Sequence, residues 1–170
     1  MRLIVKGVDG TIKKRETTVR VIVAVLLAVT LVFIVCNSLF PVPLSDAQSS
    51  AVVKAIKPAL RLDQQNDVNL DGVIRKLAHV WEFAALGTEL GVLAVLRRKH
   101  LPARLGVALA CGLFAGLVDE TVQIFSHRGP EIQDVWLDGL GVLLGLVAVM
   151  LLYGAVHLIR RRKNARQLSR

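Results

Sequence analysis

VRVIVAVLLAVTLVFIVCNSLF, residues 19–40, is the stretch that decides the fold. It carries a single charge, Arg20, near its start, and a helix needs about 20 apolar residues to cross about 30 Å of hydrocarbon. A secretory signal would have an apolar centre of about 7 to 15 residues followed by a small-residue cleavage site. Neither is present, so despite Lys13, Lys14 and Arg15 ahead of it the stretch reads as an uncleaved anchor. Three further apolar stretches follow at residues 77–96, 105–125 and 135–159. The expected fold is all-α, a polytopic membrane helix bundle of four transmembrane helices, with residues 1–170 forming one membrane domain and a loop at 41–76.

Orientation follows from Lys and Arg. Of the 22 in the chain, sixteen lie in three clusters: Arg2 to Arg20, Arg97 to Arg104, and Arg160 to Arg170. Only Lys54, Lys57, Arg61, Arg75, Lys76 and Arg128 fall on the opposite side. The positive-inside rule then places both the N and C termini in the cytosol and makes loop 41–76 extracytoplasmic. A net charge of +9 would also suit nucleic acid, but only 5% of residues are aromatic and the basic residues flank span ends. Membrane lipids with anionic headgroups are the expected partners, and nucleic acid is not.

Pro41 and Pro43 end the first helix. Ser45 or Asp46 is placed to cap a short surface helix bearing Val52, Val53 and Ile56 on one face and ending at Pro58. The segment Asp67 to Gly72 copies the opening of a calcium loop, but the twelfth position, which should supply a bidentate carboxylate, is Ala78. An Asx-rich turn with Asp71 capping the next helix is expected instead. Cys36 and Cys111 lie within spans and read as small packing residues. Spans two to four each carry glycines four apart: Gly87 and Gly91, Gly112 and Gly116, Gly141 and Gly145. Such pairs let helices approach closely, so these three spans should form the core, with the first more peripheral.

Ionisable residues inside spans are costly and usually functional. His79 and Glu82 share a face of span two, Asp119 and Gln123 of span three, and Asp134 and Asp138 of span four. At about 1.5 Å per residue, His79, Glu82, Asp119, Gln123 and Asp138 all lie within about 10 Å of the outer boundary. Asp119 and Gln123 continue the stripe of Gly112 and Gly116, and Asp134 and Asp138 that of Gly141 and Gly145, so the acids point where helices touch. Glu120 is turned about 100° from Asp119. Glu131 and Asp134 sit at the boundary, where charge is cheap, and Asp134 also reads as an ion-pair partner of Arg128. Glu89 lies past the midplane, with no partner visible in sequence. The candidate catalytic residues are His79, Glu82, Asp119 and Glu120; the candidate ligand-binding residues are Arg75, Lys76, Gln123, Arg128, Asp134 and Asp138. No metal or cofactor is expected, because one histidine with scattered acids is a weak ligand set.

The run Arg75, Lys76, Leu77, Ala78, His79 through Glu82 and Phe83, together with Glu120, Gln123, Ile124, Phe125, Arg128, Asp134, Gly141 and Gly145, resembles the VanZ-like family of small bacterial membrane proteins associated with teicoplanin resistance. The chain departs from that pattern at Asp138, where Asn is expected, and at His127. The resemblance implies a multi-pass protein of the bacterial cytoplasmic membrane that lowers susceptibility to lipoglycopeptides. It also draws Glu120 into the motif beside Gln123. Two functions are compatible with these residues. One is a non-enzymatic protein whose outward polar cavity binds a lipid, a lipid-linked envelope precursor or the lipoglycopeptide itself, with Arg75, Lys76 and Arg128 on phosphate. The other is a membrane-embedded transferase or hydrolase acting on a lipid-linked substrate, with His79 as base and nearby carboxylates as acid. The charge asymmetry predicts that a reporter active only in the cytosol will work when fused after Arg170 and fail when inserted in loop 41–76; the reverse pattern would invert the orientation.

Overall fold

The computed structural model describes residues 2–39, 50–52, 54–55, 67–97, 100–125 and 131–168. They are almost wholly helical, with no strand among the described residues: α1 (Arg2–Ser38), α2 (Asp67–Leu96), α3 (Leu101–Phe125) and α4 (Ile132–Leu168). Each contains a run long and apolar enough to cross a membrane, namely Lys14–Ser38, Gly72–Leu96, Leu101–Phe125 and Ile132–Gln167. The chain is a multi-pass membrane protein. Residues 50–52 and 54–55 are helical, within the expected surface helix. Pro41, Pro43, Ser45, Asp46, Val53, Ile56 and Arg128 lie outside the described residues.

Helix α2 begins at Asp67, so the segment expected as an Asx-rich turn is already helical. Between α2 and α3 the chain reverses through His100, whose φ of 55° lies in the left-handed region. The His100 carbonyl then accepts from Arg104 N at 3.1 Å, opening α3. Pro102 sits in that first turn, where the missing N–H costs nothing.

Lipid offers no hydrophobic drive for helix association, so close packing and interhelical polar contacts must supply it. The glycines provide the packing. A Cβ on Gly141 would stand 2.5 Å from the Val80 carbonyl oxygen, one on Gly145 would run into the backbone of Ala84 and Thr88, and one on Gly87 into that of Val142. Helices α2 and α4 therefore touch backbone to backbone along one stripe. Helix α3 joins them less closely: a Cβ on Gly112 would meet the Val142 methyls at 2.6 Å, and one on Gly116 the Asp138 carboxylate at 3.2 Å. Phe83, Leu86, Val142 and Leu146 fill the seam, with Ala108 from α3 and Ile34 from α1.

Helix α1 packs on α2 and α3 and makes no contact with α4 among the described residues. Its Val21, Val25, Val29 and Val32 face outward, as do Leu151 and Leu152 on α4. Cys36 and Cys111 are exposed and not packing residues of the core. Trp81, Phe125 and Trp136 are more than 70% exposed and sit towards the same end of the bundle, as aromatic residues do at a membrane interface. The backbone contact at Gly145 predicts that Gly145→Ala destabilises the detergent-solubilised protein by about 1 to 3 kcal/mol, the usual range for overpacking. Gly154→Ala, with nothing within 4 Å of the added Cβ, should leave the melting temperature unchanged. Equal effects in the two variants would refute the close approach.

Candidate functional site

The interface end of the glycine stripe is polar. His79 lies seven residues into the span of α2, Asp119 six residues before the end of α3 and Asp138 six residues after the start of α4. At about 1.5 Å per residue these offsets place all three about 10 Å inside the helix ends, at a common depth. Their side chains converge. His79 Nδ1 is 3.7 Å from Asp119 Oδ2 and 3.8 Å from Asp138 Oδ1. Both aspartates are fully buried, while the histidine side chain keeps 13% of its surface exposed. Packing produces this cluster directly: Gly116 leaves the space that the Asp138 carboxylate occupies, and the α2–α4 contact carries His79 to Asp138.

The two aspartates are held differently. Asp119 Oδ2 accepts from Gln123 Nε2 at 2.9 Å, one turn along α3. Its Oδ1 accepts from the Ser38 hydroxyl of α1, which also lies 2.9 Å from the Ile34 carbonyl oxygen and has one proton for the two. Neither oxygen of Asp138 takes a hydrogen bond from any described residue, although both are buried.

Glu120 lies beside the cluster. Gln123 Nε2 also donates to Glu120 Oε1 at 3.2 Å, so one amide links both acids of α3 despite the 100° between them. Glu120 Oε2 accepts from the backbone N–H of Glu131 at 3.0 Å, just ahead of the first turn of α4, where the helix dipole favours an anion. Glu82 is engaged by α1: Asn37 Nδ2 donates to its Oε1 at 2.9 Å. Lys76 Nζ lies 3.2 Å from both Glu131 Oε2 and Asp134 Oδ1, so Asp134 is paired across to α2. The expected partner, Arg128, lies outside the described residues. Arg75 precedes His79 by one turn on α2 and is half-buried.

The structure thus gathers His79, Asp119, Asp138, Gln123 and Glu120 into one buried group, with Lys76, Glu131 and Asp134 forming a more exposed clasp towards the helix ends. Three participants were not anticipated. Thr30, Asn37 and Ser38 of α1 reach Glu89, Glu82 and Asp119 respectively, and Thr30 Oγ1 donates to Glu89 Oε1 at 2.9 Å. Their signal was the spacing of residues 30, 34, 37 and 38, which puts them on one face of α1. A separate cavity of about 550 Å³, lined by Leu90, Leu93 and Val107 and fringed by Arg20, Arg97 and Arg104, lies at the opposite end of the bundle, away from every candidate catalytic residue.

A largely buried imidazole between two carboxylates can exchange a proton with a bound ligand, orient it by hydrogen bonds, or ligate a cation. No curated protein and no solved structure matches the chain. The VanZ/LLP1 family model matches residues 21–153. That range contains every residue of the polar cluster and three-quarters of the chain, and the protein belongs to the VanZ/LLP1 family.

Proposed function

We propose that this VanZ-type membrane protein uses the His79–Asp119–Asp138 cluster to bind the polar part of an envelope amphiphile and so lowers susceptibility to lipoglycopeptide antibiotics. The observation that carries the reading is the complete burial of two aspartates around one histidine. Such an arrangement is expensive: replacing buried ionic groups by packed apolar side chains is often neutral or stabilising, so stability alone does not account for it. Ionisable groups kept inside membrane spans usually mark a working site. In this reading the protein sits in the bacterial cytoplasmic membrane with the cluster facing outward, where a lipid or lipid-linked headgroup is within reach. Arg75 and Arg128 contact its phosphate, and Lys76 exchanges Glu131 and Asp134 for the same group.

A second reading is supported by the position of His79 beside two carboxylates. Carboxylates beside a ring nitrogen favour one orientation of the imidazole, which suits a general base in a transferase or hydrolase acting on the same amphiphile. Binding and catalysis separate at His79→Gln, which keeps polarity and bulk but cannot accept a proton at the same position. Loss of effect with headgroup binding retained favours catalysis; loss of both favours binding.

The envelope role predicts that a sensitive host expressing this chain tolerates more teicoplanin than the empty host, with little change towards vancomycin, which lacks the lipid tail. An expression-matched His79→Ala/Glu82→Ala variant should return the host to its starting susceptibility. Equal susceptibility of all three strains would overturn the proposal.

A further inference from the structure

Three features of the His79, Asp119 and Asp138 cluster, namely its donors, its spacing and its unpartnered carboxyl group, point to a cation. We infer that the cluster is a binding site for one divalent transition-metal ion of the Zn2+ or Mn2+ class.

The donors are one imidazole nitrogen and two carboxylate oxygens, one from each of α2, α3 and α4, and all three lie within 4.8 Å of one another. That set suits borderline and harder divalent ions. The two cysteines are exposed and outside the cluster, so no thiolate is present to select a softer ion.

Spacing distinguishes an ion from a hydrogen bond. Nδ1 stands 3.7 Å and 3.8 Å from its two oxygens, beyond hydrogen-bond range. Two ligands held at about 2.1 Å around a tetrahedral ion lie about 3.4 Å apart, so Nδ1 stands within a few tenths of an ångström of that spacing from each carboxylate oxygen. One ring nitrogen also has only one proton or one lone pair, and it cannot hydrogen-bond to both acids, whereas an ion can be shared by all three.

The independent observation is Asp138. It is fully buried, its Oδ1 is turned towards His79, and neither of its oxygens accepts a hydrogen bond from a described residue. Asp119 in contrast is oriented by Gln123 and Ser38, the kind of outer support that aligns a metal ligand. Lys76 sits against Glu131 and Asp134 instead of neutralising the pair. A divalent ion balances both aspartates and supplies the contacts Asp138 lacks. Three protein ligands leave a further coordination position, open to water or to a phosphate oxygen of the amphiphile. The phosphate half of that statement rests on the headgroup reading; binding of the ion does not.

The test uses the full chain in detergent, without a histidine tag, stripped with chelator and then titrated separately with ZnCl2 and MnCl2. Elemental analysis after desalting should find one ion per chain, and the melting temperature should rise and saturate with the same ion. His79→Ala and Asp138→Asn should each weaken binding by roughly tenfold or more. The exposed His100 and His157 provide controls, and alanine at either should leave ion binding unchanged. Asp138→Asn keeps the side-chain shape and adds no charge, so it should fold in the presence of chelator, with far-UV circular dichroism as the check. Cobalt offers a second readout, since its visible bands in wild type should vanish in both site variants. Failure to retain either ion, or retention undiminished in both variants, overturns the inference. Ion binding without any effect on teicoplanin would discard the envelope role alone, and an effect on teicoplanin without ion binding would discard the metal alone.

Discussion

The backbones of α2 and α4 touch, and the remaining structure is arranged around that contact. Gly141 and Gly145 lie against the Val80, Ala84 and Thr88 backbone, and Gly87 against Val142. In lipid, van der Waals contact replaces the hydrophobic effect as the source of association, and it is strongest where no side chain intervenes. The same approach fixes the separation of the two helices one turn further along, where side chains do intervene. There His79 and Asp138 are brought within 3.8 Å. The packing stripe and the polar cluster are thus one continuous feature, greasy and tight towards the middle of the membrane and ionisable towards the interface.

This continuity bears on how the cluster is tolerated. Acids inside a membrane normally gain partners, water or protons. Here Asp119 receives side-chain donors from α1 and α3, Glu120 receives the backbone N–H ahead of α4, and the Lys76 ammonium lies beside Glu131 and Asp134 nearer the interface. Compensation is uneven, and Asp138 is where it is least complete among the described residues.

Much of this was legible in the sequence because the signals were one-dimensional. Span number follows from apolar length, and the shared face of Asp119 with Gly116, or of Asp138 with Gly141, follows from helical phase. Convergence of His79, Asp119 and Asp138 could be anticipated from depth but required the helix rotations that the glycine contacts set. Those rotations also gave Asp134 to Lys76, a choice that spacing could not make. Glu120 was misleading by phase alone, since a glutamine three and four residues along reaches both neighbours. The contribution of α1 was hidden for a different reason: Thr30, Asn37 and Ser38 are small and cheap to bury in a helix and raise no alarm in an apolar run, although their spacing puts them on one face.

That last face couples α1 to the polar cluster. Among the described residues helix α1 makes no contact with α4, and it is tied to its neighbours by the hydroxyl of Thr30 on Glu89, the amide of Asn37 on Glu82 and the hydroxyl of Ser38 on Asp119. The glycine-packed trio can pair without it. Each of those three acids, however, loses a donor when α1 is away, so the docking of α1 completes the polar cluster. Maturation of the site and closure of the bundle are then the same event, reported by a single serine.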